Sequence, residues 1–191
     1  THQIEDFLAA VERTATSRGP IAQVHVANSG AILGHDLRTT TMVRTGIAAY
    51  GYDPNPSLQR ANLRPALTWR SWVSFVKQVE PGTNIGYGRT WTAERSTTIA
   101  TIPVGYADGF PRLLSNRGVV LLDGRRCPVV GRVCMDQIMV DVGPHAGTKV
   151  GDEAVLIGSQ AGETITANDM ATAAETISYE ITSGLTARVD R

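Results

Sequence analysis

"YDPNPSLQRANLRP", residues 52–65, divides this 191-residue chain into two unlike parts. Its three prolines, Pro54, Pro56 and Pro65, remove backbone donors and fix φ, and most of the remainder is polar. Such a stretch reads as a linker rather than as part of a helix or sheet. Upstream, Ile4, Phe7, Leu8 and Val11 recur at helical spacing and the run stops at Gly19-Pro20, which predicts an amphipathic helix of about four turns. "AQVHVANS" (22–29) then reads as a buried strand ending in polar residues, and "MVRTGIAAYG" (42–51) as a second strand beyond a polar loop. Helix, strand, loop, strand is the end of a βα repeat, not a unit that could bury its own faces. Thr1 begins the chain inside that helix, which points to a portion of a longer protein.

Downstream the pattern changes. "ALTWRSWVSFVKQV", "TTIATIPVGY", "GVVLLDG", "CPVVGRVCMDQIMVDV" and "DEAVLIGS" all read as strands, separated by turn signals such as Pro81-Gly82 and Asp123-Gly124. One late helix is expected over "TANDMATAAETI", with Thr166 as N-cap and Asp169 three residues on. The expected architecture is a mostly β C-terminal domain (63–191), a linker (53–62), and the last βα elements of an incomplete barrel (1–52).

Composition narrows the function. Eighteen basic and eighteen acidic residues cancel, and no basic run alternates with aromatics, which argues against a nucleic-acid partner. No apolar stretch approaches the roughly 18–20 residues of a membrane span, and no secretory leader pattern opens the chain, so a cytoplasmic setting is expected. Cys127 and Cys134 read as two buried or site-lining thiols rather than a disulfide. No metal-ligating pattern stands out. Of the eighteen basic residues sixteen are arginine, and lysine occurs only at Lys77 and Lys149.

Several polar residues sit where a strand or turn alone gives them little reason to be. Asn28 and Ser29 end a strand before Gly30, where a phosphate could bind or where they could simply cap the next segment. Arg44 in a predicted buried strand needs a ligand or an ion-pair partner, and His25 on the preceding strand could orient it. Gly46 would let a group approach the backbone closely. Tyr87 stands between Gly86 and Gly88, which leaves its ring unshielded unless it packs into the turn. In "GRVCMDQIMVDV" (131–142), Cys134, Met135 and Asp136 interrupt an apolar run.

Taken in order, "HVANSGA", "MVRTGIAAYG", "IGYGRTW", "IPVGYADGFPR", "GRVCMDQIMVDV" and "TISYEI" resemble the alanine racemase family across essentially the whole chain. "GYADG" and "CMDQ" are the most specific of these. That family pairs an N-terminal (β/α)8 barrel holding pyridoxal 5'-phosphate with a C-terminal β domain. It supplies D-alanine for cell-wall peptidoglycan. The resemblance implies that Asn28, Ser29, Gly46 and Ile47 bind the cofactor phosphate, with Tyr179 nearby. Arg44 would face the pyridine nitrogen, oriented by His25. Tyr87 would be a catalytic base, and Tyr106, Met135 and Asp136 would reach the active site of the other subunit of a homodimer. Arg112 matches an arginine at the substrate entrance. Asp136 could instead merely pair with Arg132 or Arg112.

Racemisation removes a proton from one face of Cα and returns one to the other, so two opposed bases are needed. The resemblance assigns one to Tyr87 and the other to a lysine that binds the cofactor covalently. That lysine lies early in the family's barrel, and neither Lys77 nor Lys149 matches it. Arginine does not give up a proton, so Arg44 would leave the pyridine nitrogen unprotonated and favour racemisation over the reactions of decarboxylases on the same barrel. The chain alone is therefore expected to be inactive. A β-domain assembly module without catalysis, or a racemase for another small amino acid such as serine, are the competing readings.

Overall fold

The structure, a computed structural model, describes residues 2–37, 40–55, 61–144 and 147–190, so the centre of the linker, 56–60, lies outside the described residues. The chain forms two compact units, Thr1–Ala66 and Leu67–Arg191.

The first unit carries two helices. α1 (His2–Arg18) is the amphipathic helix expected from the apolar spacing. It ends where Gly19, at φ +91°, donates its amide to Ala15 O at 2.9 Å. α2 (Ser29–Gly34) is capped by Asn28, whose side-chain oxygen accepts from Ala31 N. The two strands read at 22–29 and 42–51 are not formed. Both segments run beside each other through single bonds, Thr41 N to Val24 O and Arg44 N to Ala27 O. The amide of Val24, however, goes to the Thr41 hydroxyl at 2.8 Å, so a side chain takes the place of a ladder carbonyl. Ile47–Tyr50 instead closes into a 3-10 turn that buries Ile47.

The second unit is built on three antiparallel sheets. Its strands are β1 (Trp69–Trp72), β2 (Phe75–Val79), β3 (Asn84–Ile85), β4 (Trp91–Thr92) and β5 (Thr97–Ile102). They continue with β6 (Val119–Leu122), β7 (Arg125–Pro128), β8 (Ile138–Gly143), β9 (Glu153–Gln160) and β10 (Glu163–Ile165). One sheet has the order β1-β9-β6-β7 with β10 on β9; a second is β2-β5-β8; the third is the β3-β4 hairpin. In β8 buried and half-buried residues alternate, as a strand covered on one face should show. The middle of β9 is buried throughout, and β1 and β6 pair with its two edges.

The turn chemistry read from sequence is realised. Asp123 and Gly124 have φ of +51° and +67°, which closes β6 onto β7 as a two-residue hairpin. Pro81-Gly82, with φ +84° at Gly82, brings Thr83 N back to Glu80 O.

Two expected strands are broken. The run 66–79 splits at Val73-Ser74, so that β1 serves one sheet and β2 another, with fully buried Val73 at the corner. The run 127–142 opens into a nine-residue connection between β7 and β8, and Cys134-Met135-Asp136 lies in that connection. The late helix expected over 166–177 is α3 (Ala167–Ala173), with the expected capping box between Thr166 and Asp169, and a further helix, α4 (Ser178–Ser183), follows it and carries Tyr179. Beneath β3-β4, Val79, Ile85, Ala93, Ile99 and Val130 form a buried cluster that seats the hairpin.

Candidate functional site

In the first unit, His25 and Arg44 meet. Arg44 Nη1 lies 2.6 Å from His25 Nδ1. A guanidinium has only donors, so His25 presents its Nδ1 lone pair and carries its proton on Nε2. Arg44 is exposed and extended rather than buried in a strand. His25 takes only one of its N–H groups, and those left over suit an acceptor such as a ring nitrogen. Ser29 is buried, and its hydroxyl accepts from Gly46 N at 2.9 Å and Ala48 N at 3.2 Å. With both contacts incoming, its own proton remains to be donated. This donor set fits pyridoxal phosphate: an arginine for the ring nitrogen, and a hydroxyl with neighbouring amides for the phosphate. Asn28 spends its side chain on the α2 cap.

In the second unit, five of the residues singled out by sequence come together. Tyr87, Tyr106, Arg112, Met135 and Asp136 line one groove of about 480 Å³. They come from three separate segments. Tyr87 sits at the tip of the β3-β4 hairpin, between glycines at φ +75° and +72°, and is 76% exposed. Side chains rarely adopt that backbone conformation, so both glycines are needed to turn the tyrosine outward. Gly86 also packs on the 131–132 backbone, which ties the tip to the connection before β8.

The other two segments dock on each other. Tyr106 N donates to Cys134 O and Ala107 N to Met135 O, each at 3.0 Å. Gly105 makes this approach possible, since a Cβ there would stand 2.3 Å from both carbonyl oxygens. Asp108 closes the same turn by accepting the Gly105 amide at 2.8 Å. On the other side, Ser115 accepts the Val133 amide and Asn116 the Gly131 amide, and Asn116 also donates to Thr90. The result is two rigid turns that leave Tyr106 42% and Met135 52% exposed on one face.

Asp136 does not pair with Arg132 or Arg112. Its partner is Arg188, at 2.7 Å, and the Asp136 hydrogen bond holds that guanidinium above its usual pKa. Arg132 and Gln137 also line the groove. Both lie inside the motif at 131–142, where the sequence marks Cys134, Met135 and Asp136 as the residues that interrupt the apolar run. Tyr179, on α4, is exposed and is not among the residues that line this groove. Cys127 and Cys134 are unpaired, and burial raises both thiols above their ordinary value, which disfavours the thiolate and with it nucleophilic chemistry. No helix among the described residues is long and apolar enough to cross a membrane.

The family model described as "Alanine racemase, C-terminal domain" matches residues 66–191, and "Alanine racemase, N-terminal domain" matches 1–54. An alanine racemase of Cutibacterium acnes is 61% identical over 189 residues, covering 99% of this chain and 50% of that protein. One of Symbiobacterium thermophilum is 50% identical over 190 residues, again with 99% and 50% coverage. Among solved structures, alanine racemase from Bacillus anthracis with bound L-Ala-P superposes with a TM-score of 0.91 at 37% identity, over 98% of this chain and 48% of that one. The Clostridium difficile enzyme in complex with cycloserine gives 0.89 at 42% identity, over 100% and 50%. The chain thus spans about half the length of the curated relatives it matches. On these matches, which run through both units, the chain belongs to the alanine racemase family.

Proposed function

We propose that this chain supplies the C-terminal portion of a pyridoxal-phosphate-dependent alanine racemase, a cytoplasmic homodimer that interconverts L- and D-alanine and feeds D-alanine to peptidoglycan. One observation carries the reading: Tyr87, Tyr106, Arg112, Met135 and Asp136, spread over fifty positions of sequence, line a single groove. Bound pyridoxal phosphate would supply the electron sink that makes the substrate Cα–H acidic.

The chain's own residues then have distinct tasks. Ser29, through its hydroxyl proton, and the Ile47 amide hold the phosphate, while the Gly46 and Ala48 amides hold Ser29. Arg44, steadied by His25, donates to the ring nitrogen without protonating it and so limits the lifetime of negative charge at Cα. Tyr87 moves the proton on one face of Cα. Its hydroxyl makes no hydrogen bond among the described residues, so it is available to a reacting group. Met135 and Tyr106 wall the substrate, and Arg112 offers a cation to its carboxylate at the entrance. The second base is the lysine that the family carries outside these residues, so the chain by itself should not racemise alanine.

The test is Tyr87→Phe in the full-length enzyme. Turnover should fall by about 10²–10⁴-fold, the range general base catalysis supplies. Incorporation of solvent deuterium should become unequal between the L-to-D and D-to-L directions, since one face loses its base. Near-normal turnover with equal labelling would refute the assignment.

A further inference from the structure

The last residues of the second unit run over the turn that carries Tyr106. Thr186 binds that turn twice: its hydroxyl donates to Ala107 O at 2.8 Å and its amide to Asp108 O at 3.2 Å. Gly109, at φ +104°, makes room, because a Cβ there would lie 2.4 Å from Gly184 O. Arg188 then reaches out from this strap to two carboxylates on two different turns. Its Nη2 lies 2.7 Å from Asp136 Oδ1, and its Nε 3.5 Å from Asp108 Oδ1. Asp108 in turn holds the Gly105 amide, and Gly105 is where the two turns touch. One planar guanidinium thus spans the joint between the Tyr106 turn and the Met135 turn. A lysine ammonium, as a single point charge, could not match two carboxylates in this way.

Both Arg188 and Asp136 are more than half exposed, so the pair adds little to global stability. What it controls is local geometry. We propose that Arg188 is a positioning residue for the groove: by bridging Asp108 and Asp136 it sets the spacing of Tyr106 and Met135, and through them the fit of the substrate, which it does not itself touch. This rests on the functional reading above.

The experiment is a double-mutant cycle in the full-length enzyme, with KM and kcat read for alanine. Arg188→Ala should raise KM about 5–10-fold while kcat stays within about twofold, the pattern of lost uniform binding. Arg188→Lys should restore only part of that loss, and it serves as the readable variant if the alanine variant does not fold. If Arg188 acts through Asp136, adding Asp136→Asn to Arg188→Ala should worsen KM no further than the worse single change. Wild-type KM in Arg188→Ala, full rescue by lysine, or single effects that multiply in the double variant would each overturn the proposal. Tyr87→Phe assayed alongside separates the two claims. If Tyr87→Phe keeps its turnover, the functional reading fails. If it is inactive while Arg188→Ala has normal KM, only the positioning role fails.

Discussion

Arg44 illustrates how a single residue can bias a reaction. Its partner His25 accepts through Nδ1 at 2.6 Å, so the guanidinium is anchored on one side and open on the other. An arginine facing a pyridine nitrogen cannot give up its proton, whereas a carboxylic acid there can. Arg44→Glu in the full-length enzyme should therefore protonate the ring and prolong the carbanionic state. With alanine, a new long-wavelength absorbance should appear and transamination should rise, both measurable in one cuvette. An unchanged spectrum would mean that Arg44 does not face the cofactor. The identity of such residues was legible because they stand inside short, specific motifs. Their surroundings were less so. Arg44 was expected in a buried strand and is exposed on an extended segment. Arg188 escaped notice because "TARVDR" carries no motif and its partner, Asp136, lies 52 positions away.

Among the elements, the two docked turns at 105–108 and 134–137 do most to shape the groove. Their contact is backbone on backbone, with carbonyl oxygens 2.3 Å from where a Gly105 side chain would begin. Backbone cannot yield as a flexible side chain does. Gly105→Ala should then cost about 1–3 kcal/mol, the usual range for overpacking, seen as a lower melting temperature of the full-length enzyme. KM for alanine should rise with it, because Tyr106 and Met135 part. Wild-type stability and KM would show that the turns do not need this approach. The hairpin turn at Asp123-Gly124 and the Thr166 capping box could be read directly, since both rest on local chemistry. The breaks at Val73-Ser74 and across 129–137 could not. There the apolar run continues while the chain changes sheet, and periodicity records burial, not which sheet does the burying. The same ambiguity hid α4, whose "SYEITS" has too few residues to show a helical period.

At the scale of the whole molecule, the groove presents aromatic and thioether side chains outward on a face that no other described residue of the second unit covers. In a dimer with each active site built from both chains, that face would close the partner's barrel, and Tyr87 would act in the partner's site rather than in its own. The most direct test mixes two full-length variants: one carries Tyr87→Phe, the other lacks the cofactor-binding lysine. After subunit exchange, each heterodimer should contain one site with both bases and one with neither. Random exchange places about half the chains in heterodimers, so activity should recover to about a quarter of wild type. No recovery, once exchange is shown by mass labelling, would contradict the account, because Tyr87 would then serve its own chain's barrel.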